Sequence, residues 1–123
     1  MDMDLQIKVR KVKDIPVMDL SGEVDAYTCS RLREAMIEVI DDGGSDLVVN
    51  MKDVEYIDSS GLGTLVGGLK RVSERQGTIA VCGTNSQIKK VFDITGLIKV
   101  FPLYSDEEEA VKGIISRNNK EPK

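Results

Sequence analysis

Apolar residues change their spacing several times along the chain, and each change predicts an element. Leu5, Ile7 and Val9 alternate with Gln6, Lys8 and Arg10, which predicts a strand buried on one side. Lys13 and Asp14 can turn the chain. Residues 15–20 predict a second strand, with Pro16 near its start, where a missing amide is tolerated. So short a connection predicts an antiparallel hairpin. Ser21-Gly22-Glu23-Val24-Asp25 then reads as a loop that brings two acids to the strand's end.

Helical spacing begins after Thr28, a residue type that caps helices; Asp25 is an alternative cap. Leu32, Ala35, Met36, Val39 and Ile40 form one apolar stripe, which Gly43-Gly44 ends. Residues 46–51 are an apolar run that predicts a buried strand, and residues 53–57 read as a loop after it. That loop leads into Asp58-Ser59-Ser60-Gly61-Leu62-Gly63. Beyond it, Leu62, Leu65, Val66, Leu69 and Val72 return to helical spacing.

Asp58, Ser59 and Ser60 are all capping types, and Gly61 and Gly63 would leave first-turn amides uncovered. A serine hydroxyl is therefore expected at the positive end of a helix, where an added phosphate would find amide donors. Gly67-Gly68 falls inside the same helix, where each glycine costs about 1 kcal/mol relative to alanine. Something must approach closely there, either the sheet beneath or another protein.

Gly77 ends that helix, and residues 78–82 predict a further buried strand. Asn85 can cap a short helix carrying Ile88, Val91 and Phe92, which Gly96 terminates. Residues 100–103 read as a last short strand or an extended linker. Ser105 with Glu108 is a capping-box pattern for a helix that buries Ala110, Val111, Ile114 and Ile115. Residues 118–123 are polar and expected to fray. After the hairpin, strands and helices alternate. This predicts an α/β fold with a mixed sheet of four to five strands, the N-terminal hairpin antiparallel, and about four helices.

The length of 123 residues implies one domain, 1–123, with a single core. A net charge of -4 and a pI near 4.9 disfavour nucleic acid or an anionic membrane as the main partner. No stretch reaches the ~18 apolar residues of a membrane span, and no signal peptide is evident. Cys29 and Cys82 lack close-spaced partners and read as buried free thiols in a reducing cytoplasm. The chain has no histidine, which removes serine–histidine catalysis and nearly all zinc sites.

Two chemistries compete for the glycine-rich turn. Gly61-Leu62-Gly63 with Gly67 resembles a relaxed dinucleotide fingerprint, but the next strand ends in Val81-Cys82-Gly83-Thr84 with no acid to hold a ribose. No Walker sequence occurs. Asp25 and Asp58 both lie near strand ends and could act as paired carboxylates. With two Phe, three Tyr and no Trp, however, an aromatic-lined sugar cleft is not expected. Each acid reads equally well as a solvated loop or cap residue.

Val54-Glu55-Tyr56-Ile57-Asp58-Ser59-Ser60-Gly61-Leu62-Gly63 resembles the signature of the STAS domain, the fold of bacterial anti-sigma factor antagonists. Gly22-Glu23-Val24-Asp25-Ala26-Tyr27-Thr28 resembles that family's second motif, and Phe92-Asp93-Ile94-Thr95-Gly96-Leu97 a third. The likeness covers about residues 5–116, so a freestanding cytoplasmic antagonist is expected. The resemblance implies a partner-switching cycle with no enzymatic activity and no cofactor of its own. The unmodified antagonist binds an anti-sigma factor that is also a serine kinase, and the sigma factor is released. Phosphorylation, carried over to Ser59, breaks that complex, and a metal-dependent serine phosphatase restores it. Asp25, Thr28, Asp58, Ser59, Ser60, Gly61, Leu62 and Gly63 are the expected partner-binding positions. A second implication is a scaffold or accessory subunit in a stress-signalling assembly or beside a lipid-transport ATPase.

Overall fold

A computed structural model describes residues 4–119. Strands β1 (Leu5–Val12) and β2 (Ile15–Val24) form the antiparallel hairpin, joined in register at Val12 and Ile15. The two turn residues, Lys13 and Asp14, both take positive φ, 53° and 69°. That is the left-handed pair a tight hairpin needs, here made without the glycine that usually signals it.

Helix α1 (Cys29–Asp41) follows, then β3 (Asp46–Ile57), α2 (Ser59–Ser73), β4 (Thr78–Cys82) and α3 (Ser86–Ile94). A 3-10 turn over Leu97–Lys99 leads to the two-residue β5 (Leu103–Tyr104) and α4 (Glu107–Asn119). The sheet order is β1-β2-β3-β4-β5, parallel at every pair except the hairpin. The mixed five-stranded sheet and four helices match the predicted architecture.

Each face of the sheet carries its own core. Leu32, Met36 and Ile40 of α1, Leu65 and Val72 of α2, and Phe92 of α3 pack with Met18, Val49 and Ile79 on one side. Ala110, Val111 and Ile114 of α4 pack with Val17, Val48 and Ala80 on the other. Phe92 meets Phe101 edge to face at 5.8 Å, a favoured aromatic geometry.

Several expected boundaries move. Residues 21–24 and 53–57 are strand rather than loop. In β3 the buried positions Met51, Val54 and Ile57 recur every third residue. Two register shifts against β2 cause this, each placing an extra β3 residue opposite its partner. Alternation is therefore lost in the second half of β3. The final strand lies at Leu103–Tyr104 and not at 100–103. Asp106, and not Ser105, caps α4: its carboxylate accepts from the Glu109 amide at 2.9 Å. Asn118 and Asn119 belong to α4, and residues 120–123 of the expected frayed tail lie outside the described residues.

Candidate functional site

Strands β2 and β3 are parallel and end side by side, with Val24 opposite Ile57. The Asp58 amide donates to the Val24 carbonyl at 3.1 Å. The β3–α2 turn and the β2–α1 loop therefore leave one edge of the sheet together, and they carry Asp58 and Asp25 with them.

Asp58 is the N-cap of α2. Its Oδ1 accepts from the amides of Ser60 at 2.9 Å and Gly61 at 3.1 Å, and its carbonyl accepts from Leu62 at 2.9 Å. Ser59 is the first helical residue, and its side chain is exposed. Ser60 is half-buried. Two of the amides expected to await a phosphate, those of Ser60 and Gly61, are thus already taken by Asp58, which corrects the picture drawn from residue types alone.

Glycine serves different ends within this turn. A Cβ on Gly61 would lie 2.6 Å from Val24 Cγ1 and 2.7 Å from Ile57 Cγ1. Gly61 is buried and lets the helix start against the strand ends, rather than uncovering amides. A Cβ on Gly63 would meet nothing within 4 Å.

The β2–α1 loop is held by its own polar groups. Asp25 Oδ1 accepts from the amides of Tyr27 at 2.9 Å and Thr28 at 3.1 Å. The Asp25 carbonyl accepts from Cys29 at 2.8 Å. Thr28 is buried. Its hydroxyl donates to the Glu23 carbonyl at 2.9 Å and accepts from the Asp25 amide at 3.0 Å. Thr28 occupies the N-cap position but makes no side-chain cap bond. The turn into α1 is closed by Asp25, and Thr28 fixes the loop from beneath.

Of the predicted partner-binding residues, Ser59 and Gly63 are exposed, and Asp25, Asp58 and Ser60 are half-buried. Thr28, Gly61 and Leu62 are buried. Sequence reasoning passed over Tyr27, 91% exposed on the same loop as Asp25. It also missed a groove of about 400 Å³ between α1 and α2, whose lining includes Cys29, Arg33, Ile37, Ser60, Gly63 and Gly67. The mid-helix glycines were its one visible signal. The third motif is structural in large part. Phe92 is core and Gly96 takes φ 80°, although Ile94 is 74% exposed.

Cys82 is buried, and burial pushes its thiol up to about 11, which makes it a poor nucleophile. Cys29 is only half-buried, contrary to expectation. Among the described residues, no group of three His, Cys, Asp or Glu side chains is placed to hold a metal. No helix of these residues is long and apolar enough to cross a membrane.

Comparison with known proteins places this geometry in context. The family profile described as STAS domain matches residues 6–110. An anti-sigma F factor antagonist of Paenibacillus polymyxa is 34% identical over 110 residues, covering 89% of this chain and 94% of that protein. An anti-sigma-B factor antagonist of Bacillus subtilis is 31% identical over 110 residues, covering 89% of this chain and all of that protein. The crystal structure of an anti-sigma factor antagonist from Mycobacterium paratuberculosis superposes with a TM-score of 0.83 at 27% identity. That match covers 90% of this chain and 94% of the other.

Proposed function

The chain belongs to the STAS domain family, and from that membership we propose that it is an anti-sigma factor antagonist switched by phosphorylation of Ser59. In its unmodified form it binds an anti-sigma factor that is also a serine kinase, and the sigma factor is set free. The kinase transfers the γ-phosphoryl group of ATP to the Ser59 hydroxyl, and the complex separates. A serine phosphatase removes the phosphate and returns the binding form. The antagonist itself catalyses nothing in this cycle.

One observation carries the reading. Ser59 is exposed on the first residue of a helix whose start is fixed to two strand ends, so a visiting active site can reach its hydroxyl. Asp58 and the Asp25 loop flank it on a single rim. Unmodified, this rim offers a partner a small hydroxyl and the groove between α1 and α2. Modified, it carries ~1.5 to 2 further negative charges at neutral pH. A partner would have to strip water from that phosphate beside carboxylates of like sign. A penalty of ~3 kcal/mol weakens binding more than a hundredfold. The sheet need not move, because the change is confined to the rim.

Incubation with the candidate kinase and ATP, followed by mass-spectrometric mapping, tests the assignment. Modification is expected at Ser59 and absent from Ser59→Ala, which still binds the kinase. Equal modification of Ser59→Ala would remove Ser59 from the account and leave Ser60 as the candidate.

A further inference from the structure

Resting on that reading, we propose that Asp58 keeps a phosphate on Ser59 from settling onto its own helix, so that the charge stays exposed to partner and phosphatase. A phosphate near a helix N-terminus is normally drawn to the first-turn amides and the positive end of the dipole. Here two of those donors are held by the capping carboxylate. The Ser60 and Gly61 amides donate to Asp58 Oδ1, and the Leu62 amide donates to the Asp58 carbonyl. The backbone that carries the cap is itself fixed, because the Asp58 amide donates to the Val24 carbonyl at 3.1 Å.

The charge count points the same way. A helix N-terminus carries about half a positive charge, and one carboxylate already exceeds it. A phosphate bringing ~1.5 to 2 more negative charges therefore meets a site of its own sign. The neighbouring loop offers no relief, since Asp25 adds a further carboxylate whose Oδ1 is engaged with Tyr27 and Thr28. Arg33 of α1 is the cation lining the groove with Ser60. Asp58 is thus a positioning residue. By holding the helix amides, it leaves the added charge to act outward.

Phosphoserine installed at position 59 during synthesis tests this without any kinase. Wild type, Asp58→Asn and Asp58→Ala are compared with and without the phosphate, reading amide proton shifts and melting temperature. In wild type, the Ser60 and Gly61 amide protons are expected to hold their shifts, and phosphorylation lowers the melting temperature. In Asp58→Ala, the same protons move downfield on phosphorylation, the melting temperature rises, and the serine phosphatase acts severalfold more slowly. Asp58→Asn keeps the cap but loses the charge, so its amides stay engaged and the melting penalty shrinks.

Downfield movement of the Ser60 and Gly61 amides in wild type would overturn the proposal, even if Asp58→Ala fails to fold. A phosphate that raises the wild-type melting temperature, through Arg33 or otherwise, would do the same. Because no kinase is used, this failure is separable from that of the proposed function, which turns on whether a kinase modifies Ser59 at all.

Discussion

Replacing Gly67 and Gly68 by alanine, one at a time, sets two neighbours on α2 against each other. Both are helical with no positive φ, so both gain ~0.5 to 1 kcal/mol of backbone preference from alanine. Their surroundings differ. A Cβ at Gly67 meets nothing within 4 Å, so the gain is kept, worth about 3 °C in melting temperature for a domain of this size. A Cβ at Gly68 lies 2.1 Å from Met36 Cε and 3.3 Å from both Met36 Sδ and Ile79 Cδ1. Met36 is 1% exposed but lines the groove between α1 and α2, so its flexible end must shift there to admit the methyl group. Overpacking of this kind costs ~1 to 3 kcal/mol. Subtracting the alanine gain leaves Gly68→Ala less stable by up to about 2.5 kcal/mol. Urea unfolding at unchanged m-value reads both numbers. The Gly67→Ala protein is also expected to bind the anti-sigma factor more weakly, because its methyl group enters the groove beside Gly63. If Gly68→Ala were as stabilising as Gly67→Ala, the packing account of α2 on α1 and the sheet would be wrong.

Arg10 bridges Asp19, with contacts of 2.6 and 2.9 Å, and also Glu107 of α4. Its guanidinium holds the Asp19 carboxyl below the usual carboxylate range, with Asn50 assisting and burial opposing. A depressed folded value stabilises above the unfolded value of ~3.9, and that stability is lost as pH falls through the folded one. Arg10→Gln is therefore expected to cost about 1 kcal/mol at pH 7, the upper end for partly exposed pairs. Its deficit should close in unfolding curves taken well below pH 4, and a deficit independent of pH would contradict the ion-pair origin. For the thiols, a colorimetric disulfide reagent at pH 8 should modify Cys29 alone in the folded protein and both cysteines in denaturant. Rapid native labelling of Cys82 would contradict its burial.

Residue patterns revealed most of the architecture because each helix shows a clear apolar stripe and β4 a continuous apolar run. They hid the second half of β3, where two register shifts turn a two-residue period into a three-residue one around Lys52 and Glu55. The hairpin was legible from its short connection at Lys13 and Asp14, although these two residues adopt a conformation usually marked by glycine. At the candidate site, a helix start at residues 58–60 was legible because all three are capping types, but which of them caps was not, and Ser59 was singled out by the family resemblance alone. The role of Gly61 was not legible either, since its reason lies in Val24 and Ile57, 37 and 4 positions before it in the chain. Thr28 misled because a capping residue type sits at a helix start, yet its hydroxyl turns inward to Glu23.

The most direct test of the switch is the affinity of the purified anti-sigma factor for this protein, with and without stoichiometric phosphate on Ser59. The account predicts tight binding of the unmodified form and a loss of more than a hundredfold on modification, with the sheet amides unmoved. Equal affinity of the two forms would contradict it.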